Sequence, residues 1–147
     1  MFKRLRSRWK ELSKHPAYRR NRACVLGRTI KWALHCLFRI SAHARFRRWN
    51  FSLYIPPIWK GGGCTTPFIF REDYSPELLV LERFLEPGMT FVDGGANIGI
   101  YTFVAASLVG PQGHVLACEP GEQCFQAMER SRELNKCLQV ILRRQGI

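Results

Sequence analysis

Acidic residues are nearly absent from the first third of the chain: Glu11 is the only one among residues 1–50, against 15 Lys or Arg. Residues 51–147 carry 8 basic and 10 acidic groups, so the formal charge of +12 splits into +14 for the N-terminal segment and −2 for the rest. The whole-chain charge therefore does not describe the C-terminal two thirds. Also missing is an unbroken apolar run of the ~20 residues that a bilayer span needs. The uncharged stretch 94–118 is interrupted by Gly110-Pro111-Gln112-Gly113, and no transmembrane helix is expected. The first 22 residues lack the apolar core of a secretory signal. None of the six cysteines (24, 36, 64, 118, 124, 137) forms a C-x-x-C pair, and no paired histidines stand near them. That supports neither a zinc site nor a stapled secreted scaffold, and leaves buried or free thiols in a reducing, cytoplasmic setting as the expectation. Disorder throughout is excluded in turn, because 46% of the residues are apolar.

The basic run 1–23, interrupted by Pro16, reads as a solvated or partly helical tail. Residues 28–40 read as an amphipathic helix with Ile30, Ala33, Leu34, Leu37 and Phe38 on one face and Lys31, His35 and Arg39 on the other. Such a helix packs its apolar face on its own domain, lies on an anionic membrane surface, or touches RNA. An Arg-rich, acid-poor start also resembles an organelle transit peptide. From 49 to 70 the pattern is aromatic and β-like. Phe51-Ser52-Leu53-Tyr54-Ile55 and 65–70 are expected strands around a Pro56-Pro57 break and a Gly61-Gly62-Gly63 turn. The three glycines lack the Gly-Lys-Ser/Thr that would make them a phosphate loop.

Ser75-Pro76-Glu77 marks a helix start, with the Ser75 hydroxyl placed to accept from backbone N–H groups, and Pro87-Gly88 stops that helix. Beyond it, strands at 89–93, 114–118 and 138–142 alternate with helices at 97–109 and 122–135, which predicts right-handed crossovers and a parallel sheet. The expected class is α/β: a Rossmann-like fold with an incomplete parallel sheet, preceded by a basic helical segment and a small β element. The expected organisation is a basic, partly helical extension over 1–48, a short β-rich lead-in over 49–74, and the first half of a Rossmann-like domain over 75–147.

Chemistry concentrates where the strand Thr90-Phe91-Val92-Asp93 runs through Gly94-Gly95-Ala96-Asn97-Ile98-Gly99 into a helix. Ligands of open α/β sheets bind outside the carboxyl ends of the strands. A dinucleotide would want G-x-G-x-x-G to receive its pyrophosphate, and the glycine spacing here fails that pattern. S-adenosylmethionine has no phosphate. Its sulfonium, its zwitterionic end and its ribose diol suit an acid at one strand tip, small residues in the turn, and a second acid at the next tip. Glu119, at the end of His114-Val115-Leu116-Ala117-Cys118, is that second acid. A carboxylate only accepts, so its two oxygens can take both ribose hydroxyl protons.

The run from Phe91 to Thr102 with Asp93-Gly94-Gly95-Ala96-Asn97-Ile98-Gly99, then Gly110-Pro111-Gln112-Gly113-His114-Val115 and Cys118-Glu119-Pro120, closely resembles the FkbM family of S-adenosylmethionine-dependent methyltransferases. Leu134-Asn135 fits the same likeness, which covers about residues 70–145. The resemblance implies that the α/β domain is a Rossmann-like methyltransferase fold and that it catalyses O-methylation of a sugar or natural-product hydroxyl. It also implies a cofactor site of Asp93, Gly94, Gly95, Ala96, Asn97, Gly99, Glu119 and Pro120. Gly94 departs from the aliphatic residue usual there. Neither a metal nor a general base is implied: His15, His35, His43 and His114 stand in no spacing that marks one. The expected partners are a small-molecule or glycan hydroxyl acceptor, with no firm nucleic-acid partner and at most weak anionic-surface contact through residues 1–48. From Thr90 onward the chain has 58 residues, room for about two overlapping βαβ units, so a truncated and inactive enzyme is one expectation. A non-catalytic module that binds RNA or an anionic membrane through its basic segment, with peripheral membrane association, is the main alternative, and an RNA methyltransferase that combines both features ranks below the O-methyltransferase reading.

Overall fold

The computed structural model describes residues 13–59 and 63–146; the expected turn at Gly61 and Gly62 and the basic positions 1–12 lie outside them. The elements run α1 (Pro16–Arg20), α2 (Arg22–Leu37), β1 (Ala42–Phe46), β2 (Phe51–Ile55), α3 (Thr65–Phe70), a 3-10 turn (Arg71–Asp73), α4 (Glu77–Phe84), β3 (Thr90–Gly94), α5 (Ile100–Val109), β4 (His114–Cys118), α6 (Glu122–Asn135) and β5 (Val140–Arg143). The strands form an antiparallel β1-β2 hairpin and a parallel sheet of order β3-β4-β5, which is the α/β, Rossmann-like alternation the sequence predicts. No helix among the described residues is long and apolar enough to cross a membrane.

The parallel sheet follows directly from the alternation of short apolar strands and helices. α5 is buried almost all round, at Ile100, Thr102, Phe103, Val104, Ala105, Ala106 and Val109. It lies against the sheet on one side and against the hairpin on the other, where Phe103 and Phe51 have ring centroids 6.0 Å apart. A helix apolar on every side must be covered on every side. The hairpin buries Ala42, Ala44 and Phe46 by strict alternation, and Phe46 stacks on Phe51 at 4.8 Å. Its second edge is closed by a helix. Backbone N–H of Ser52 donates to Asn135 Oδ1 at 2.7 Å, Asn135 Nδ2 returns a bond to the Ser52 carbonyl at 2.7 Å, and Tyr54 N–H donates to Ser131 Oγ at 2.9 Å. Side chains of α6 thus do for β2 what a third strand would do.

Three local expectations are corrected. Residues 65–70 form a helix. Pro67 sits in its first turn, where the missing donor costs nothing, and Pro67, Phe68, Ile69 and Phe70 are buried continuously, which a two-residue alternation cannot give. α2 begins at Arg22, ahead of the predicted start at 28, because Asn21 Oδ1 caps Cys24 N–H at 3.0 Å. The core-facing side of α2 carries Val25 and Trp32, while Ile30, Leu34, Leu37 and Phe38 are 49–73% exposed. The largest side chain on the helix decides which face goes inward, and Trp32 is fully buried with its Nε1 donating to Thr65 Oγ1 at 3.0 Å. The Ser75 hydroxyl accepts from Tyr101 OH at 3.2 Å instead of capping α4, and Pro76 takes the cap position.

Candidate functional site

The site residues stand at the carboxyl ends of β3 and β4. These strands pair in parallel with Asp93 opposite Ala117 and Gly94 opposite Cys118, so the two strand-end acids are brought side by side. The glycine turn is stapled to the tip of β4. Gly95 and Ala96 N–H groups both donate to the Cys118 carbonyl, at 2.9 and 3.0 Å, and Asn97 N–H donates to Glu119 Oε2 at 2.8 Å. Glu119 Oε1 accepts from Gly121 N–H at 2.7 Å. One carboxylate therefore ties the turn after β3 to the turn after β4, with one lone pair of each oxygen left for another donor.

Three residues of the turn adopt left-handed backbone: Gly95 (φ +78°), Asn97 (φ +53°) and Gly99 (φ +88°). Asn tolerates that region better than other side chains, and its Oδ1 accepts from Ile98 N–H at 2.7 Å. Gly99 is needed twice, because a Cβ there would stand 2.9 Å from both Met128 Cγ and Phe103 Cε2. Gly95 has nothing within 4 Å of where a Cβ would be, so the backbone there faces open space that a ligand can approach. Pro120 and Gly94 are exposed and Ala96 is buried.

Asp93 behaves differently from Glu119. It is 9% exposed and accepts a 2.5 Å hydrogen bond from Thr102 Oγ1 on α5. Burial pushes its carboxyl above the usual range; the Thr102 hydrogen bonds oppose this, and the nearby Glu119 charge adds to it. Asp93 is thus turned into the domain to hold α5, while Glu119 is turned to the loops. Thr102 is a partner that motif reading passes over, although a threonine in a helix otherwise rich in apolar residues, nine positions past the strand-end acid, is the available signal.

The structure also brings in residues from outside the parallel sheet. Gly63 (φ +62°) lies against Asn97: a Cβ on it would be 2.9 Å from Asn97 Nδ2. Cys124 Sγ lies 3.5 Å from Asn97 Oδ1. The segment after the Pro56-Pro57 break therefore walls the glycine turn, a long-range contact that the sequence does not announce. Among the described residues no cysteine is in a disulfide, and no group of three or more His, Cys, Asp or Glu side chains could hold a metal ion.

No family model matches the chain. A curated relative, ribosomal RNA large subunit methyltransferase E of Hahella chejuensis, is 45% identical over 53 residues, which are 34% of this chain and 26% of the relative. The chain thus matches about a quarter of that relative's length. Among solved structures, a protein described as an rRNA methylase from Clostridium thermocellum aligns with a TM-score of 0.45 and 27% identity over 48% of this chain and 40% of its own. A SAM-dependent methyltransferase from Aquifex aeolicus aligns with a TM-score of 0.48 and 21% identity over 59% and 48%. The expectation of a small-molecule or glycan acceptor without a nucleic-acid partner is overturned here, because the curated relative is named for ribosomal RNA. The physical reason is that the strand-end residues behind that expectation are small or acidic side chains, with no feature that selects one acceptor over another.

Proposed function

We propose that this chain carries the cofactor-binding residues of an S-adenosylmethionine-dependent methyltransferase whose methyl acceptor is RNA. The observation that carries the cofactor reading is Glu119, whose carboxylate bridges the two strand-end turns and keeps acceptor capacity on both oxygens. The donor set fits the group. Glu119 supplies acceptors for a ribose diol, the open face of Gly95 allows close backbone approach, and an ionised Asp93, though turned inward, would favour a cation bound at the strand ends. No Lys or Arg stands in 93–99 or 118–121, a poor setting for a pyrophosphate.

The bound cofactor supplies a methyl group on positively charged sulfur, ready for transfer to a nucleophile. The chain's own work is to bind and orient. Asp93 fixes the start of α5 through Thr102, the left-handed Asn97 and Gly99 set the turn, and Glu119 holds the two loops at a constant separation. Alignment of this kind supplies a large part of the rate advantage of a group transfer. The FkbM likeness agrees with this reading on the cofactor only; the sugar or natural-product hydroxyl it implies as acceptor is set aside in favour of RNA. The acceptor rests on the ribosomal RNA named for the curated relative and on the basic N-terminal segment.

Calorimetry of the 147-residue chain with S-adenosylmethionine tests the cofactor. Saturable binding is expected, and Glu119→Ala should weaken it by roughly 10- to 150-fold, the equivalent of about 1.5–3 kcal/mol for hydrogen bonds to a charged group. Equal affinity in the variant removes Glu119 from the site, and no binding by the wild type sinks the cofactor reading. Transfer of labelled methyl to ribosomal RNA, compared with transfer to a glycan mixture, tests the acceptor.

A further inference from the structure

The outward face of α2 and the residues just after it are not absorbed by the site described above. Lys31, Leu34 and Phe38 are spaced i, i+3, i+7, which places them in one row along the helix, and all three are exposed, Phe38 at 65%. Arg39 follows, exposed and with left-handed backbone (φ +54°). Neither Lys31 nor Arg39 has an ion-pair partner among the described residues, and residues 13–50 contain ten Lys or Arg and no Asp or Glu. A solvent-facing phenylalanine framed by unpaired cations is a costly surface for a helix that only packs on its own domain.

Its position in the fold is informative. Trp32 donates to Thr65 at the start of α3, and Arg28 donates to the Ile69 carbonyl near the end of α3 at 3.0 Å, so α2 and α3 run antiparallel. The C-terminal end of α2 therefore lies at the end of α3 that begins next to Gly63. Gly63 in turn lies against Asn97 in the glycine turn. Interior contacts thus link the turn to Gly63, Gly63's near neighbour Thr65 to Trp32, and Trp32 lies on the inward face of the helix that carries Lys31, Leu34 and Phe38 outside.

We infer that the row of Lys31, Leu34, Phe38 and Arg39 is a landing surface for unpaired RNA, carried on a helix whose inner face is tied to the segment that walls the glycine turn. The inference rests on the RNA reading proposed above and adds the conformation of the substrate and the place where it is held. Single strands are bound by pairing backbone phosphates with Lys and Arg and laying base faces on aromatic side chains. Phe38 and Leu34 give an apolar surface for a base, and Lys31 and Arg39 flank it with the charges that a phosphate backbone requires. A duplex, with its bases stacked inside, would leave Phe38 unused.

The test is fluorescence anisotropy with a labelled oligouridylate of about 12 nucleotides, within the range that single-strand sites cover, using the whole chain at several salt concentrations. Phe38→Ala should weaken binding roughly ten-fold and Phe38→Trp should restore it. Lys31→Glu combined with Arg39→Glu should reduce the log–log salt slope by about 1.4, the value for two phosphate contacts on a single strand. A duplex of equal length should bind more weakly and ignore Phe38→Ala. Because these side chains are exposed, unfolding curves of the variants should overlay the wild type. Wild-type affinity in all variants overturns the landing surface and leaves the RNA reading standing. If the wild type binds S-adenosylmethionine but no RNA, both fall. Variants that keep RNA affinity and lose binding to vesicles of phosphatidylserine and phosphatidylcholine would assign the row to a lipid surface and overturn the inference.

Discussion

Two carboxylates a strand apart have opposite lives in this fold. Glu119 is half-buried and accepts on both oxygens from backbone N–H groups of the loops. Asp93 is buried, and burial holds its carboxyl above the ordinary range, partly opposed by Thr102. The sign of the resulting pH dependence follows. Since the native state holds the Asp93 proton more tightly than the unfolded chain does, this residue's contribution to stability is full below the ordinary carboxylate value. It is lost as pH rises through the raised native value. Asp93→Asn should therefore flatten the fall in unfolding free energy between the two, measured by urea denaturation from about pH 4 to 7. The same ionised, poorly solvated carboxylate is the group a sulfonium would relieve, so cofactor affinity should rise with pH over that window in the wild type and lose the rise in Asp93→Asn. A variant that keeps the wild-type pH profile in both measurements would show that Asp93 does not titrate there.

At the scale of elements, legibility follows the range of the physics involved. β4 and α6 begin and end where the sequence places them, because a strand between a glycine turn and a Glu-Pro tip, and a helix between Gly121 and a left-handed Lys136, are bounded by local chemistry. β5 starts at Val140 rather than at 138, and residues 65–70 form α3 rather than a strand, since their form is set by burial against α2 through Trp32. β1 is absent from the sequence reading: Ala42, Ala44 and Phe46 alternate with His43 and Arg45, but the basic run around them masks the alternation. The Asp93–Glu119 neighbourhood is legible because adjacent parallel strands bring their ends together; Thr102 and Gly63 are not, because they reach the site through packing. Asn135 shows the same limit. The motif contains it, while its work is to satisfy both Ser52 backbone groups on the open edge of β2. Asn135→Ala leaves that donor and acceptor without their partner and should cost about 1–3 kcal/mol of stability. Thermal unfolding checks it, and a variant with an unchanged midpoint would show that the edge finds water instead.

On the scale of the whole molecule, the described helices leave one face of the parallel sheet open. Val115, Ala117 and Val140 point to the side where α5 and α6 pack and are fully buried or nearly so. Val92, Leu116 and Ile141 stand in register across β3, β4 and β5 on the other side, with Val92 55% and Ile141 46% exposed. β3 is also an edge strand, and its outer backbone groups make no ladder among the described residues. An in-register apolar row beside an open edge is a surface that pairs with another copy when concentration allows. The 147-residue chain should therefore show a mass that rises with concentration in sedimentation experiments. Lysines at Val92 and Ile141 add charge to that face without touching the buried layer, so the double variant V92K/I141K should stay monomeric over the same range. Its circular dichroism should match the wild type, because neither side chain is part of the core. An equal rise in mass for variant and wild type would place the association elsewhere, and the exposed row of α2 would be the next face to charge.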